Sequence, residues 1–529
     1  MISAADIVKQ ITQPAAAAGP VSDTPPTRKD IPFVPFYDIK YAAANQGEKA
    51  EIRTIKVNFA KLVEVLKSMG FRRLDVQRQS FIVRIKDNVV IEVSQKEVID
   101  TFVAWLESFG VNLPDGVMVE PLISKLYGGI GTFFSDNILY RLINDKKIVF
   151  NEHTRSEAFF YYQNGYVKVT EHGATLKPYN TLPHYIWANQ ILRRNYNSAD
   201  DKAINTHPWA RFTANVANAW AKHPNTEKEQ KPDNARLAAF QTLIGYTLHS
   251  YYEGKLRAVI FTDARMSEDA AGRSGKTLFC KALGHILNAE KHSSTYVELN
   301  GKDFDPHEKF KYQELAIDTR LVHLNDVARN FEFEALFNDI TEGIRAQRKN
   351  EAPFPVMAKL ILSTNRTIRI HGDSAKDRSI EFEFADYYGA NWSPEREFKQ
   401  WFFRDWNAQD WACFDNYLLR CVAAYLKKGL IQSGAINLVL RKMYEETAPE
   451  FIRWMEERQF VSGQEYAKAD LHAQFIQDTP DFKMLKQKTF TKWARTFGDS
   501  HPDFSGCEER RSSGKDLIKF TRKPEDISF

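Results

Sequence analysis

The chain is poor in cysteine and has no long apolar run, and each absence narrows what it can be. Its 529 residues carry four cysteines, Cys280, Cys413, Cys421 and Cys507. None forms a Cys-x-x-Cys pair and no histidine cluster stands beside them, so neither a disulfide framework nor a zinc site is expected. No run of about 18 apolar residues occurs, so no membrane-spanning helix and no membrane partner are expected. Residues 1–30 lack a basic start followed by an apolar core, which argues against a secretion signal. They read as a flexible tail. With scattered thiols, this places the protein in the cytoplasm. An excess of one charge is missing too. Lys and Arg number 72 against 68 Asp and Glu, a net charge of +4, so only clustered charge could mark a nucleic-acid surface. No internal repeat is present. Residues 31–230 hold no Asp-x-Asp or Asp-x-Glu strand pair to carry two metals, so primer synthesis is not expected.

What is present is ordinary globular material, 43% hydrophobic and 26% charged, in a chain long enough for about three or four domains. Residues 31–113 read as a small α+β domain. Phe81–Ile85 and Val89–Val93 flank an Asp87-Asn88 turn, and Ser94 with Glu97 forms a capping box for a following helix. Residues 114–232 read as a mixed, mostly helical collar. It includes one hairpin, Ala158–Tyr162 and Tyr166–Val169 around Asn164-Gly165, whose aromatics are expected to be core partners rather than base-stacking platforms. The polar stretch His223–Pro232 reads as a linker. Residues 233–430 alternate strand and helix, which predicts an α/β sheet, and residues 431–529 form a C-terminal unit.

Within the α/β region, Arg257–Phe261 predicts a strand and Leu278–Leu287 an apolar helix. Between them lie Gly272, Arg273, Ser274, Gly275, Lys276 and Thr277. Strand, glycine-containing loop, Lys-Thr and helix is the context of a P-loop. Glycines let backbone N–H groups curl around phosphate oxygens, and the helix N-terminus adds positive potential. Lys276 would reach the terminal phosphates of ATP, and Thr277 would hold Mg2+. The first glycine of the strict pattern is replaced by Ala270.

About 50 residues on, Arg320–Leu324 predicts a strand ending in Asn325-Asp326. Asp326 is placed to hold the Mg2+ shell. Lys359–Thr364 predicts a buried strand ending in Asn365, and Asp377-Arg378-Ser379 precedes another strand. This order resembles a superfamily 3 helicase of the phage and viral primase-helicase type, related in style to the poxvirus-like branch. The resemblance covers about residues 235–430. It implies an AAA+-like P-loop ATPase core with a helical N-terminal flank. It also implies an ATP- and Mg2+-dependent DNA helicase that translocates on single-stranded DNA as a homo-hexameric ring. Forked DNA and a separate primase or polymerase are its implied partners, and for a phage protein the compartment is the bacterial host cytoplasm. Lys276 and Thr277 resemble the nucleotide-binding pair, Asp326 the magnesium-linked acid, Asn365 the sensor and Arg378 the arginine finger. Asn325 stands where the family has an acid, and an amide cannot act as a general base. Water activation is then left to Asp326 alone or to another carboxylate such as Glu314 or Asp318, or else hydrolysis is slow.

The stretch Gly343–Phe354 resembles the family's pore hairpin, with Arg345, Arg348 and Lys349 as candidate phosphate contacts. In the C-terminal unit, Lys486, Lys488, Lys492 and Arg495 thread a helix whose apolar face is Phe490, Trp493 and Phe497. A hairpin then follows, so the unit resembles a winged helix. Two other readings remain open. One is an origin-binding or loader scaffold with a degenerate ATPase, motivated by Ala270 and Asn325. The other is a P-loop small-molecule kinase, disfavoured by the helical flanks and the basic hairpin.

Overall fold

The computed structural model describes residues 25–41, 52–76, 79–143, 147–251, 256–265, 272–288, 294–328, 331–365, 368, 370, 372–458, 460–501 and 503–523. Most of the proposed tail and position 270 lie outside the described residues.

A parallel five-stranded sheet organises the centre. Its strands are β1 (Ala258–Asp263), β2 (Tyr296–Asn300), β3 (Leu321–Asn325), β4 (Lys359–Ser363) and β5 (Ser379–Phe384), in the spatial order β2-β3-β4-β1-β5. Their near-continuous apolar runs are what burial on both faces demands. Alternation divides the side chains between two cores. Val259, Phe261, Leu321, Ile361 and Phe382 pack on one face against Phe279 and Leu283 of helix α1 (Lys276–Ile286). Ala258, Ile260, Val322, Leu324, Leu360 and Leu362 face the other way, toward Phe81, Val83 and Phe354. The first face is closed by two packed helices, Asn234–Leu248 and Ala408–Lys428. They approach closely at Gly245, where an added Cβ would lie 2.2 Å from the Cys421 carbonyl oxygen.

The N-terminal hairpin and the Ser94/Glu97 capping box are present as the sequence predicts. The unit extends further than residue 113, however. Leu113, Leu122, Leu126, Phe134 and Leu142 share one core with Phe36, Leu66, Phe102 and Trp105. The region taken as a mostly helical collar carries a three-stranded antiparallel sheet, Ala158–Tyr162, Gly165–Thr170 and Gly173–Lys177. All five residues of its first strand are buried, so these aromatics are core partners. The stretch His223–Pro232, read as a linker, is anchored. His223 is buried, with Nε2 2.9 Å from the Tyr387 carbonyl oxygen.

The C-terminal unit has its own core around Phe451, Phe475, Phe490, Phe497 and Phe520. Strands Glu465–Ala467, Phe504–Ser512 and Lys515–Arg522 form its antiparallel sheet, beside helices Lys468–Asp478 and Gln487–Ser500. Among the described residues, no helix is long and apolar enough to cross a membrane.

Candidate functional site

The five strands are parallel, so their carboxyl ends share one edge of the sheet, and a cleft opens there against the ends of β3 and β4, the position where open α/β sheets take ligands. The cleft holds about 390 Å³ and is lined by the Gly272–Thr277 loop, Asn325, Asp326 and Ser363–Asn365. Three of the loop residues have left-handed backbones, with φ of +53° at Gly272, +65° at Arg273 and +100° at Gly275. From Arg273 to Gly275 the sign of φ alternates, an arrangement that can turn successive N–H groups toward one anion. The 11-residue helix α1 then opens at Lys276, adding the unpaired N–H groups of its first turn. Gly275 is required sterically as well. A Cβ there would meet the Phe212 ring at 2.9 Å, so the loop backbone rests on the collar helix Pro208–Val216.

Lys276 is buried, and its ammonium donates to Asp263 Oδ1 at 2.5 Å and Asn365 Oδ1 at 2.9 Å. It thereby joins the ends of the adjacent strands β1 and β4. Burial pushes its pKa down, and the Asp263 carboxylate opposes that shift. Ser274 Oγ donates to the same carboxylate. Thr277 is exposed on the cleft wall.

Asp326 also lines the cleft, with φ +59° and an ion pair to Lys302 at 2.6 Å. Asn325 donates from Nδ2 to Glu298 Oε1 at 2.7 Å and accepts from Ser363 Oγ at 3.0 Å. Ser363 in turn lies 2.8 Å from His323 Nε2, and His323 Nδ1 lies 2.9 Å from Tyr296 OH. The other two carboxylates considered for water activation are elsewhere. Glu314 and Asp318 precede the amino end of β3, and Asp318 is buried, accepting from Asn189 and Ser294. Among the described residues, no three His, Cys, Asp or Glu side chains converge as a metal cage. One carboxylate and one hydroxyl, Asp326 and Thr277, nevertheless suit Mg2+, which takes few protein ligands when phosphates supply the rest.

Arg378 stands just before β5; its carbonyl oxygen accepts from Ala258 N at the amino end of the adjacent β1, and its side chain donates to Ser374 O at 2.9 Å. Six residues of strand separate it from the cleft, about 20 Å. It cannot serve the cleft of its own chain. The hairpin candidates divide. Arg345 and Lys349 are exposed, whereas Arg348 is turned inward, 3.4 Å from Glu92 of the N-terminal unit. Arg348 is thus not a free phosphate contact; the hairpin docks there through Phe354 on Phe81 as well. In the C-terminal helix, Lys488 and Lys492 are exposed, as is the preceding Lys486. Arg495 is instead paired with Glu509, with Nε 2.7 Å from Oε1.

Two contributors escaped the sequence reading. Asp263, at the end of β1, is the carboxylate that Lys276 meets. Arg441, from helix Leu438–Glu446, is buried and donates to the Asp263 carbonyl oxygen and, at 3.1 Å, to that of Asn365. Asp263 was visible as a polar residue closing an apolar run. Nothing local marks Arg441.

His323 beneath the cleft and His249 are buried and His285 is half-buried, and desolvation pushes each pKa down to about 4. A depressed histidine pKa means that the unfolded chain holds more protons between about pH 4 and 6.5. Stability is therefore present above pH 6.5 and lost as pH falls through that window. His323→Gln is expected to flatten the acid limb of urea-unfolding free energy against pH, by up to about 1.4 kcal/mol per pH unit. An unchanged slope between pH 6.5 and 5 would contradict a neutral, buried His323.

No protein-family model matches the chain, and no curated protein matches it. Among solved structures, it is similar to an A form apo structure of the NrS-1 C-terminal region, with 12% identity and a TM-score of 0.36. That superposition covers 87% of this chain and 98% of that one. A second structure of the same region, residues 305–718, gives 13% identity and a TM-score of 0.37 over the same shares. A likeness this slight carries no argument about fold or activity.

Proposed function

We propose that the cleft binds ATP with Mg2+ and hydrolyses it, and that the chain uses this energy to move along single-stranded DNA. The observation that carries the reading is the Lys276 ammonium. It is held at a helix N-terminus, above a loop of left-handed residues, between the ends of two neighbouring strands. Oxygens of a triphosphate would replace Asp263 and Asn365 as its partners, and the inward N–H groups would take the remaining phosphate charge. Thr277 and Asp326 would hold Mg2+, which neutralises charge on the phosphates. Asn365 would contact the terminal phosphate. Binding of a fluorescent ATP analogue to the whole chain tests this. Saturable binding displaced by unlabelled ATP is expected; no displacement by millimolar ATP would refute it.

The position of Arg378, at the far end of the sheet, favours assembly. It suits an arginine that completes the cleft of the next subunit in a ring, here a hexamer. The C-terminal unit, with an exposed lysine helix followed by a long hairpin, suits a winged helix that grips DNA. Neutralising Lys486, Lys488 and Lys492 together is expected to weaken single-stranded DNA binding at every sequence. It should lower the slope of log affinity against log salt by about 2. Measured affinities at several salt concentrations with an unchanged slope would remove this helix from the interface.

A further inference from the structure

Asp326 is the one carboxylate in the lining of the cleft, and the residue before it, Asn325, is an amide. The hydrogen-bond network around Asn325 has only one consistent direction. Glu298 is acceptor-only when ionised, so the amide must turn its NH2 toward it and its oxygen toward Ser363. Ser363 spends its single proton on that oxygen. Its own oxygen must then accept from His323 Nε2, leaving Nδ1 of a neutral imidazole to accept from Tyr296 OH. The relay runs Tyr296, His323, Ser363, Asn325, Glu298, across strands β2, β3 and β4, and every donor points toward the one negative charge at its end. Hydrogen bonds in such a chain polarise one another.

We propose that Glu298 is a positioning residue that supplies the missing negative charge through Asn325. Its carboxylate polarises the amide, and Asn325 Oδ1, which keeps a second lone pair, becomes a strong acceptor on the cleft wall for a water bound beside the phosphates. Asn325 and Glu298 together stand in for a single carboxylate set one bond network further back. The parallel register explains how Glu298 arrives. Glu298 pairs with His323, two residues before Asn325 and on the same face of β3, and reaches up the sheet to Asn325.

This inference rests on the nucleotide reading, and a charge swap separates the two. Glu298→Gln keeps an acceptor oxygen and the shape but removes the charge. It is expected to slow ATP hydrolysis about 10–100-fold. It should also weaken Mn2+ binding beside a non-hydrolysable ATP analogue, followed by electron paramagnetic resonance, about tenfold. Asn325→Asp alone sets two carboxylates 2.7 Å apart, so one must take up a proton. The double variant, Asn325→Asp with Glu298→Gln, exchanges amide and carboxylate and is expected to restore both readouts to within about threefold of wild type. A purely structural role would not be rescued by that swap. Hydrolysis and Mn2+ affinity of Glu298→Gln within about twofold of wild type would overturn the role of Glu298 alone. A double variant as impaired as Glu298→Gln would do the same. A wild-type chain that binds no nucleotide would overturn the parent reading and this one with it.

Discussion

Lys276→Ala is expected to lower ATP hydrolysis about 10²–10³-fold, the cost of removing one preorganised cation or donor from a developing charge. The ammonium is held in place before any ligand arrives, by Asp263 and Asn365. On the nucleotide reading, phosphate oxygens take over from these two partners when ATP binds. The same substitution has a structural side. It strips Asp263 of its cation and leaves that carboxylate, 11% exposed, with Ser274 as its side-chain partner. Unfolding should therefore be followed alongside hydrolysis, so that lost activity is measured on folded chains. A phosphate-release assay separates the outcomes. Hydrolysis by Lys276→Ala within about threefold of wild type would mean that the cleft does not work through this lysine.

The largest expected stability loss lies away from the cleft. Arg194→Ala should destabilise the chain by about 3–5 kcal/mol, because it leaves a buried charge uncompensated. Arg194 holds Asp415 through two bonds, Nε at 2.9 Å and Nη2 at 2.6 Å. It also donates to the His285 carbonyl oxygen at 3.2 Å and lies 4.5 Å over Trp411. It thus ties the segment after the collar sheet both to α1 and to the long Ala408–Lys428 helix. Burial pushes the Asp415 carboxyl up, and Arg194 pulls it back down. Without the arginine, burial is opposed only by the Tyr162 hydroxyl, so the acid stays protonated to higher pH in the fold than in the unfolded chain. Stability of the variant is then present at low pH and lost as pH rises through the folded pKa. The loss should accordingly be larger at pH 8 than at pH 5 in urea unfolding. A double variant, Arg194→Met with Asp415→Leu, should recover most of it. A cost of Arg194→Ala below about 1 kcal/mol would show that this pair contributes no more than a surface ion pair.

The elements readable from sequence are those whose cause is local. The Asp87-Asn88 turn, the Ser94/Glu97 box and the Gly275-Lys276 junction each depend on residues within a turn or two. The apolar runs of the central strands announce a sheet buried on both faces. Arg348 shows the opposite case. Its neighbours in sequence make it one of a basic cluster, yet it pairs with Glu92, 256 residues away. Arg495 likewise meets a glutamate that arrives only with the folded hairpin.

Sequence by itself determined the succession of apolar strand, glycine-containing loop and helix around Gly272–Thr277, and that Lys276, Thr277, Asp326 and Asn365 follow strand ends. Those facts come from backbone sterics and from alternation of apolar residues, which act over a few positions. Tertiary structure alone decided the company these residues keep. Asp263 comes to Lys276 from 13 residues away, Glu298 to Asn325 from 27, and Arg441 to the Asp263 carbonyl from 178. Those pairings are set by strand order and parallel register, which depend on how whole faces pack. No residue pattern near any one partner encodes them.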